Sequence, residues 1–189
     1  MEGKLIIFSA PSGAGKTTIV KFLCKQIPEI AFSVSATTRK KRPEEIEGID
    51  YFFLSEEEFL HRIAKKQFVE FEEVYNGTYY GTLRSEIDKI WALGKHVIFD
   101  LDVQGGMRLK KKFNGQALSI FVKPPSMEIL VERLTQRATE SSQKIVERVK
   151  KAESELGFEK DFDQVLLNDN LDQACLKAKK LVQDFISMG

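Results

Sequence analysis

A chain of 189 residues with 42% hydrophobic content is long enough to bury one substantial core plus a small appended module, without disulfide staples. A formal charge of +1 gives no global attraction to nucleic acid or an anionic membrane, so any anion site must be built locally. The two cysteines lie far apart without metal-type spacing to either histidine, and no apolar run approaches the ~20 residues a bilayer needs. A soluble cytoplasmic protein is expected, with no nucleic-acid and no membrane partner.

Leu5 to Phe8 is an uncharged apolar run that reads as a strand covered on both faces, and Thr17 to Cys24 has the apolar spacing of an amphipathic helix. Between them stands Ser9-Ala10-Pro11-Ser12-Gly13-Ala14-Gly15-Lys16-Thr17, which follows the phosphate-loop pattern G-x-x-x-x-G-K-[ST] with Ala10 in place of the first glycine. Gly13 and Gly15 admit backbone conformations that β-carbons forbid, so successive N–H groups can turn inward on an anion at a helix N-terminus. Lys16 would reach the β- and γ-phosphates, and the Thr17 hydroxyl would serve Mg²⁺. The alternative is an ordinary strand-to-helix turn.

After Pro28, Ile30 to Val34 predicts a second strand leading into Ser35 to Pro43, the most basic short stretch of the chain. It reads either as a solvated charged loop or as an arginine clamp, since Arg39 and Arg42 carry the planar fork that grips a phosphate at two points. Tyr51 to Leu54 predicts a short strand, and Ser55 with Glu58 a capping box for a helix through about Ala64. Gln67 to Tyr75 and Thr78 to Thr82 predict strands joined at Asn76-Gly77 by a hairpin.

Arg84 to Leu93 predicts a helix stopped by Gly94, followed by the apolar strand His96-Val97-Ile98-Phe99-Asp100-Leu101-Asp102. An aspartate at such a strand end either orients a water or ligand of a metal ion, or simply caps the next turn. Gly105-Gly106 opens a turn or helix, and Ala117 to Val122 predicts another buried strand, closed by Pro124-Pro125. Ser126 can cap the next helix. This helix and its successor carry Arg133, Arg137 and Arg148 around the polar stretch Thr139 to Ser142, as a mobile lid or a charged helical hairpin. Val165 to Asp169 suits a last strand, and Leu171, Ala174, Cys175, Ala178, Leu181, Val182 and Phe185 form the apolar stripe of a closing helix.

Strands alternating with helices behind a phosphate loop predict an α/β fold: a P-loop parallel-sheet core covered by helices, with a small inserted β-rich module and a helical lid. Ser9 to Thr17, Asp100-Asp102 and Asn168-Asp169 all fall at predicted strand ends, so these three segments are expected to converge.

The sequence resembles the guanylate kinases over essentially its whole length. The likeness rests on the loop Ser9 to Thr17, on Phe32-Ser33-Val34-Ser35-Ala36-Thr37-Thr38-Arg39 followed by Arg42, and on Gly48-Ile49-Asp50-Tyr51, which is similar to the family's nucleoside-monophosphate segment. The resemblance implies transfer of the γ-phosphoryl group of ATP to GMP, and to dGMP, with Mg²⁺ accompanying ATP, by a monomer or homodimer. It implies that Ala10, Pro11, Ser12, Gly13, Ala14, Gly15, Lys16 and Thr17 surround the donor phosphates, with Thr17 toward the metal. Arg39, Arg42, Tyr51 and Tyr80 would hold the GMP phosphate, while Ser35, Glu70, Thr82 and one or both of Asp100 and Asp102 would read guanine. Arg133, Arg137 and Arg148 would lie on the lid side, against the transferring group, and Asn168 near adenine. The catalytic cations would be Lys16, Arg42, Arg137 and Arg148. The implied division is core over 1–34, 84–125 and 149–189, GMP module over 35–83 and lid over 126–148.

Guanine offers N–H donors at N1 and N2 and an acceptor at O6, so a carboxylate and a hydroxyl satisfy its edge, whereas adenine would turn a ring lone pair toward Glu70. Another small-molecule kinase of the same fold is one competing reading. A guanylate-kinase-like interaction scaffold is the other, and the intact Lys16 and Thr17 argue against it.

Overall fold

The computed structural model describes residues 3–75, 77–136 and 142–188. In chain order its elements are β1 (Leu5–Ser9), α1 (Lys16–Gln26), β2 (Ile30–Phe32), β3 (Ala36–Thr37), β4 (Phe52–Phe53), α2 (Glu56–Ala64), β5 (Phe68–Tyr75), β6 (Thr78–Leu83), α3 (Arg84–Ala92) and β7 (His96–Leu101). They continue with α4 (Val103–Lys112), β8 (Ala117–Lys123), α5 (Met127–Gln136), α6 (Ser142–Leu156), β9 (Gln164–Leu167) and α7 (Leu171–Ser187). The expected α/β class with a parallel-sheet core stands. Two compact units divide these elements: Lys4–Pro28 with Asp100–Gly189, and Glu29–Phe99 with Met1–Gly3.

In the first of these units β8 lies between β1 and β9, all parallel, with Leu5 opposite Ala117 and Ile120 opposite Gln164. Every residue of β1 is buried, as its uncharged run requires. α4 packs on β1 and β8, and α1 packs on α7. That packing explains Gly106, near the start of α4, where a β-carbon would overlap Ser9 Oγ. Val103, Phe121 and Phe162 form a buried cluster, and the stripe of α7 buries Ala174, Cys175, Ala178 and Val182.

In the other unit β2 pairs parallel with the first half of β7, Ile30 opposite His96 and Phe32 opposite Ile98. A separate four-stranded sheet runs β4-β3-β6-β5. β5 and β6 are antiparallel, as the hairpin signal predicts, with Glu70 opposite Thr82; Gly77 takes φ 71°, while Asn76 lies outside the described residues. α2 covers this sheet through Phe59, which stacks 4.3 Å from Phe68 between ring centroids. Phe59, Phe68, Ala36 and Leu83 are the buried centre, with Phe52, Leu54, Ile63 and Tyr79 around it.

Several boundaries differ from expectation for physical reasons. The predicted strand Ile30–Val34 ends at Phe32, and β3, only two residues long, was below the length that periodicity detects. Only half of the expected capping box forms: Ser55 accepts from Glu58 N at 3.1 Å, but the Glu58 carboxylate turns outward to Arg62 at 2.6 Å. Ser126 accepts from Ile129 N at 3.3 Å and so caps α5 as anticipated. Arg137 and most of the polar stretch after it lie outside the described residues.

Candidate active site

The first cluster is assembled at the C-terminal ends of β1, β7 and β9. Gly13 and Gly15 take φ 91° and 90°, the left-handed region in which glycine costs least. Ala10 is buried, and Lys66 is the only non-glycine among the described residues with positive φ, so the loop's opening does not need the glycine that the pattern lacks there. No side chain caps α1 and its first turn holds no acidic residue, which leaves the positive end of the helix dipole for an anion.

Asp100, near the end of β7, holds both functional residues of the loop. Its Oδ1 lies 2.6 Å from Lys16 Nζ, and its Oδ2 accepts a hydrogen bond from Thr17 Oγ1. Lys16 Nζ also donates to the carbonyl of Leu101. Thr17 and Asp100 therefore bring two hard oxygen donors together beside the loop. Among the described residues no group of three or more His, Cys, Asp or Glu could enclose an ion, so a cation here would complete its shell with phosphate and water oxygens, a set that suits Mg²⁺.

Asp102 is differently employed. Its Oδ1 accepts from Gly105 N at 2.7 Å and caps α4, the reading that the sequence left open for a strand-end aspartate. Its Oδ2 is buried without a hydrogen-bond partner, with Lys151 Nζ 3.9 Å away. Asn168 closes the group: Nδ2 donates to the Ala14 carbonyl at 2.7 Å, and Arg133 of α5 reaches the Asn168 carbonyl at 3.5 Å. The three segments expected to converge do so. Arg148 lies on α6, and Arg137 is outside the described residues.

The second cluster lies within residues 29–99. Arg39 Nε donates to Tyr80 Oη at 3.2 Å, and its guanidinium stands 5.4 Å over the Tyr51 ring and 5.7 Å over that of Phe53. The remaining edge of its fork is taken by Glu45, at 2.6 and 3.0 Å. Glu45 also accepts from Arg42 N at 2.8 Å, with Arg42 Nη1 4.0 Å away. The hydrogen bond from Arg39 is the main reason that the Glu45 carboxyl sits below the ordinary carboxylate range. Sequence reasoning missed Glu45; the signal was the spacing Arg39-x-x-Arg42-x-x-Glu45, hidden in a charge-rich stretch.

Glu70 and Thr82 face each other across β5 and β6, both buried, and Thr82 Oγ1 donates to Glu70 Oε1 at 2.7 Å. The register of β3 on β6, Ala36 opposite Gly81, carries the buried Ser35 to the level of Thr82. Arg39, Arg42, Tyr51 and Tyr80 thus form one basic and aromatic group, and Ser35, Glu70 and Thr82 one polar group on the sheet.

Comparison with known proteins gives one consistent answer. The family profile described as guanylate kinase matches residues 2–185. The chain is 49% identical over 187 residues to a guanylate kinase of Bacteroides thetaiotaomicron, covering 99% of this chain and 92% of that one. It is 47% identical over 185 residues to a guanylate kinase of Porphyromonas gingivalis, covering 97% and 98%. Among solved structures, guanylate kinase from Anaplasma phagocytophilum superposes with a TM-score of 0.81 at 28% identity, covering 98% of this chain and 87% of that one.

Proposed function

This chain belongs to the guanylate kinase family and is an ATP-dependent nucleoside monophosphate kinase that transfers the γ-phosphoryl group of ATP to GMP, giving ADP and GDP; on that premise we propose how its residues share the work. Residues 10–17 receive the triphosphate: the amides turned by Gly13 and Gly15 bind its oxygens, and Lys16 exchanges Asp100 for the β- and γ-phosphates. Thr17 and Asp100 would hold Mg²⁺ together with the phosphates, and that ion supplies neutralising charge and orientation when bound. Arg133 and Asn168 complete the donor side, and Arg137 and Arg148 are assigned to the transferring group.

Arg39, Arg42, Tyr51 and Tyr80 grip the phosphate of GMP. Ser35, Glu70 and Thr82 read guanine, the buried Glu70 carboxylate facing its N–H groups. A phosphate monoester has its second pKa at about 6, so the acceptor is already dianionic at neutral pH and no side-chain base is required. One of its oxygens attacks the γ-phosphorus in line, and the bond to the β–γ bridging oxygen breaks to release ADP. The catalytic problem is then positioning two polyanions and spreading charge, which is the work of Lys16 and the arginines. The free thiols Cys24 and Cys175 support a cytoplasmic location, where they would stay reduced.

The observation that carries the donor half of this reading is the Asp100 carboxylate holding Lys16 and Thr17 behind a loop of left-handed glycines. The test is ADP release from ATP against GMP, dGMP, AMP and UMP in parallel. GMP and dGMP should be turned over and the other two should not; equal turnover of AMP would defeat the assignment of Ser35, Glu70 and Thr82.

A further inference from the structure

Asn168 is 3% exposed and sits just past β9, where its backbone N donates to the Lys123 carbonyl at 2.8 Å. Its side chain spans from there to the phosphate loop and donates through Nδ2 to the Ala14 carbonyl at 2.7 Å. A carbonyl only accepts, so the nitrogen end of the carboxamide must face the loop. The fit is close on the loop side as well, because a β-carbon at Gly15 would overlap Asn168 Nδ2. A β-carbon at Gly13 would stand 3.2 Å from Leu130 and Leu134 of α5. The loop is therefore packed against both α5 and one buried amide.

We infer that Asn168 is a positioning residue for the phosphate loop: acting through the Ala14 carbonyl, it holds the amides from Gly13 to Thr17 in the conformation that binds the donor's phosphates. This role is separate from any contact of Asn168 with the purine, and it rests on the reading of residues 10–17 as the triphosphate site. Without the Asn168 amide, the Ala14 carbonyl loses its partner and the loop must pay for its anion-binding conformation at each binding event.

The probe that separates the two roles is inorganic tripolyphosphate, which has phosphates and no purine. In Asn168→Ala and Asn168→Asp the dissociation constants of ATP and tripolyphosphate should rise by the same factor, about tenfold for loss of one buried hydrogen bond and more for the carboxylate, which repels the Ala14 carbonyl. The KM for ATP should rise while the KM and dissociation constant of GMP stay put. Weakened ATP with unchanged tripolyphosphate would overturn the inference in favour of a purine contact, and no change in either would also overturn it. If both variants lost GMP binding through unfolding, the wild-type chain decides: the Asn168 side-chain amide should exchange slowly with solvent by NMR, and fast exchange overturns the latch. If wild type bound no tripolyphosphate at all, the phosphate-loop reading would fall, while slow exchange of that amide would still uphold the hydrogen bond.

Discussion

Lys16 and Glu45 illustrate what single side chains contribute. Lys16 is the loop's one ammonium and is already oriented by Asp100 and the Leu101 carbonyl. Lys16→Ala should cut turnover by orders of magnitude while GMP binding, measured calorimetrically, persists. Glu45 fixes the fork of Arg39 and the backbone of Arg42, so Glu45→Gln should raise the KM for GMP by about tenfold and leave that for ATP unmoved. Because its folded pKa is depressed from 4.5, Glu45 contributes stability fully above that value, and the contribution is lost as pH falls through the folded pKa. Denaturation profiles should therefore show a shallower acid-side loss of stability in Glu45→Gln than in wild type. Glu70→Gln should lower the preference for GMP over AMP by about tenfold or more in competition assays, since a neutral amide can turn its oxygen toward the N–H groups of guanine or its N–H toward the ring lone pair of adenine.

Elements show which parts of this were legible beforehand. α7 was plain because its seven apolar positions recur at one period, and the phosphate loop because its chemistry is contained in consecutive residues. Asp100 and Thr17 lie 83 positions apart and meet only because a parallel fold brings strand ends together, so a strand-end aspartate stayed ambiguous between ligand and cap. Asp102 takes the cap reading, on α4, while Asp100 bonds Lys16 and Thr17 of the loop. Glu45 was invisible because a carboxylate among lysines and arginines reads as solvated until the fold closes Arg39 upon it. α2 matters through one ring: Phe59 is fully buried against Phe68 and Tyr79. Phe59→Ala should destabilise the unit containing the four-stranded sheet by about 3–5 kcal/mol in chemical denaturation, with weaker GMP binding as the sheet loosens.

At the scale of the whole molecule, a formal charge of +1 accompanies local matching of two of the cations assigned to the sites. Asp100 sits on Lys16 and Glu45 on Arg39, one pair in each compact unit. Removing both carboxylates, in Asp100→Asn with Glu45→Gln, would take the formal charge from +1 to +3 and leave two cations without their counter-ions. That variant should elute from a heparin column at higher salt than wild type, and equal elution would argue against local matching. At Lys16 the resident Asp100 carboxylate makes nucleotide entry a trade of one anion for another, as on an ion-exchange resin. Selectivity then belongs to whatever anion also satisfies the surrounding hydrogen bonds, and a cell full of other polyphosphates finds little bare charge to hold.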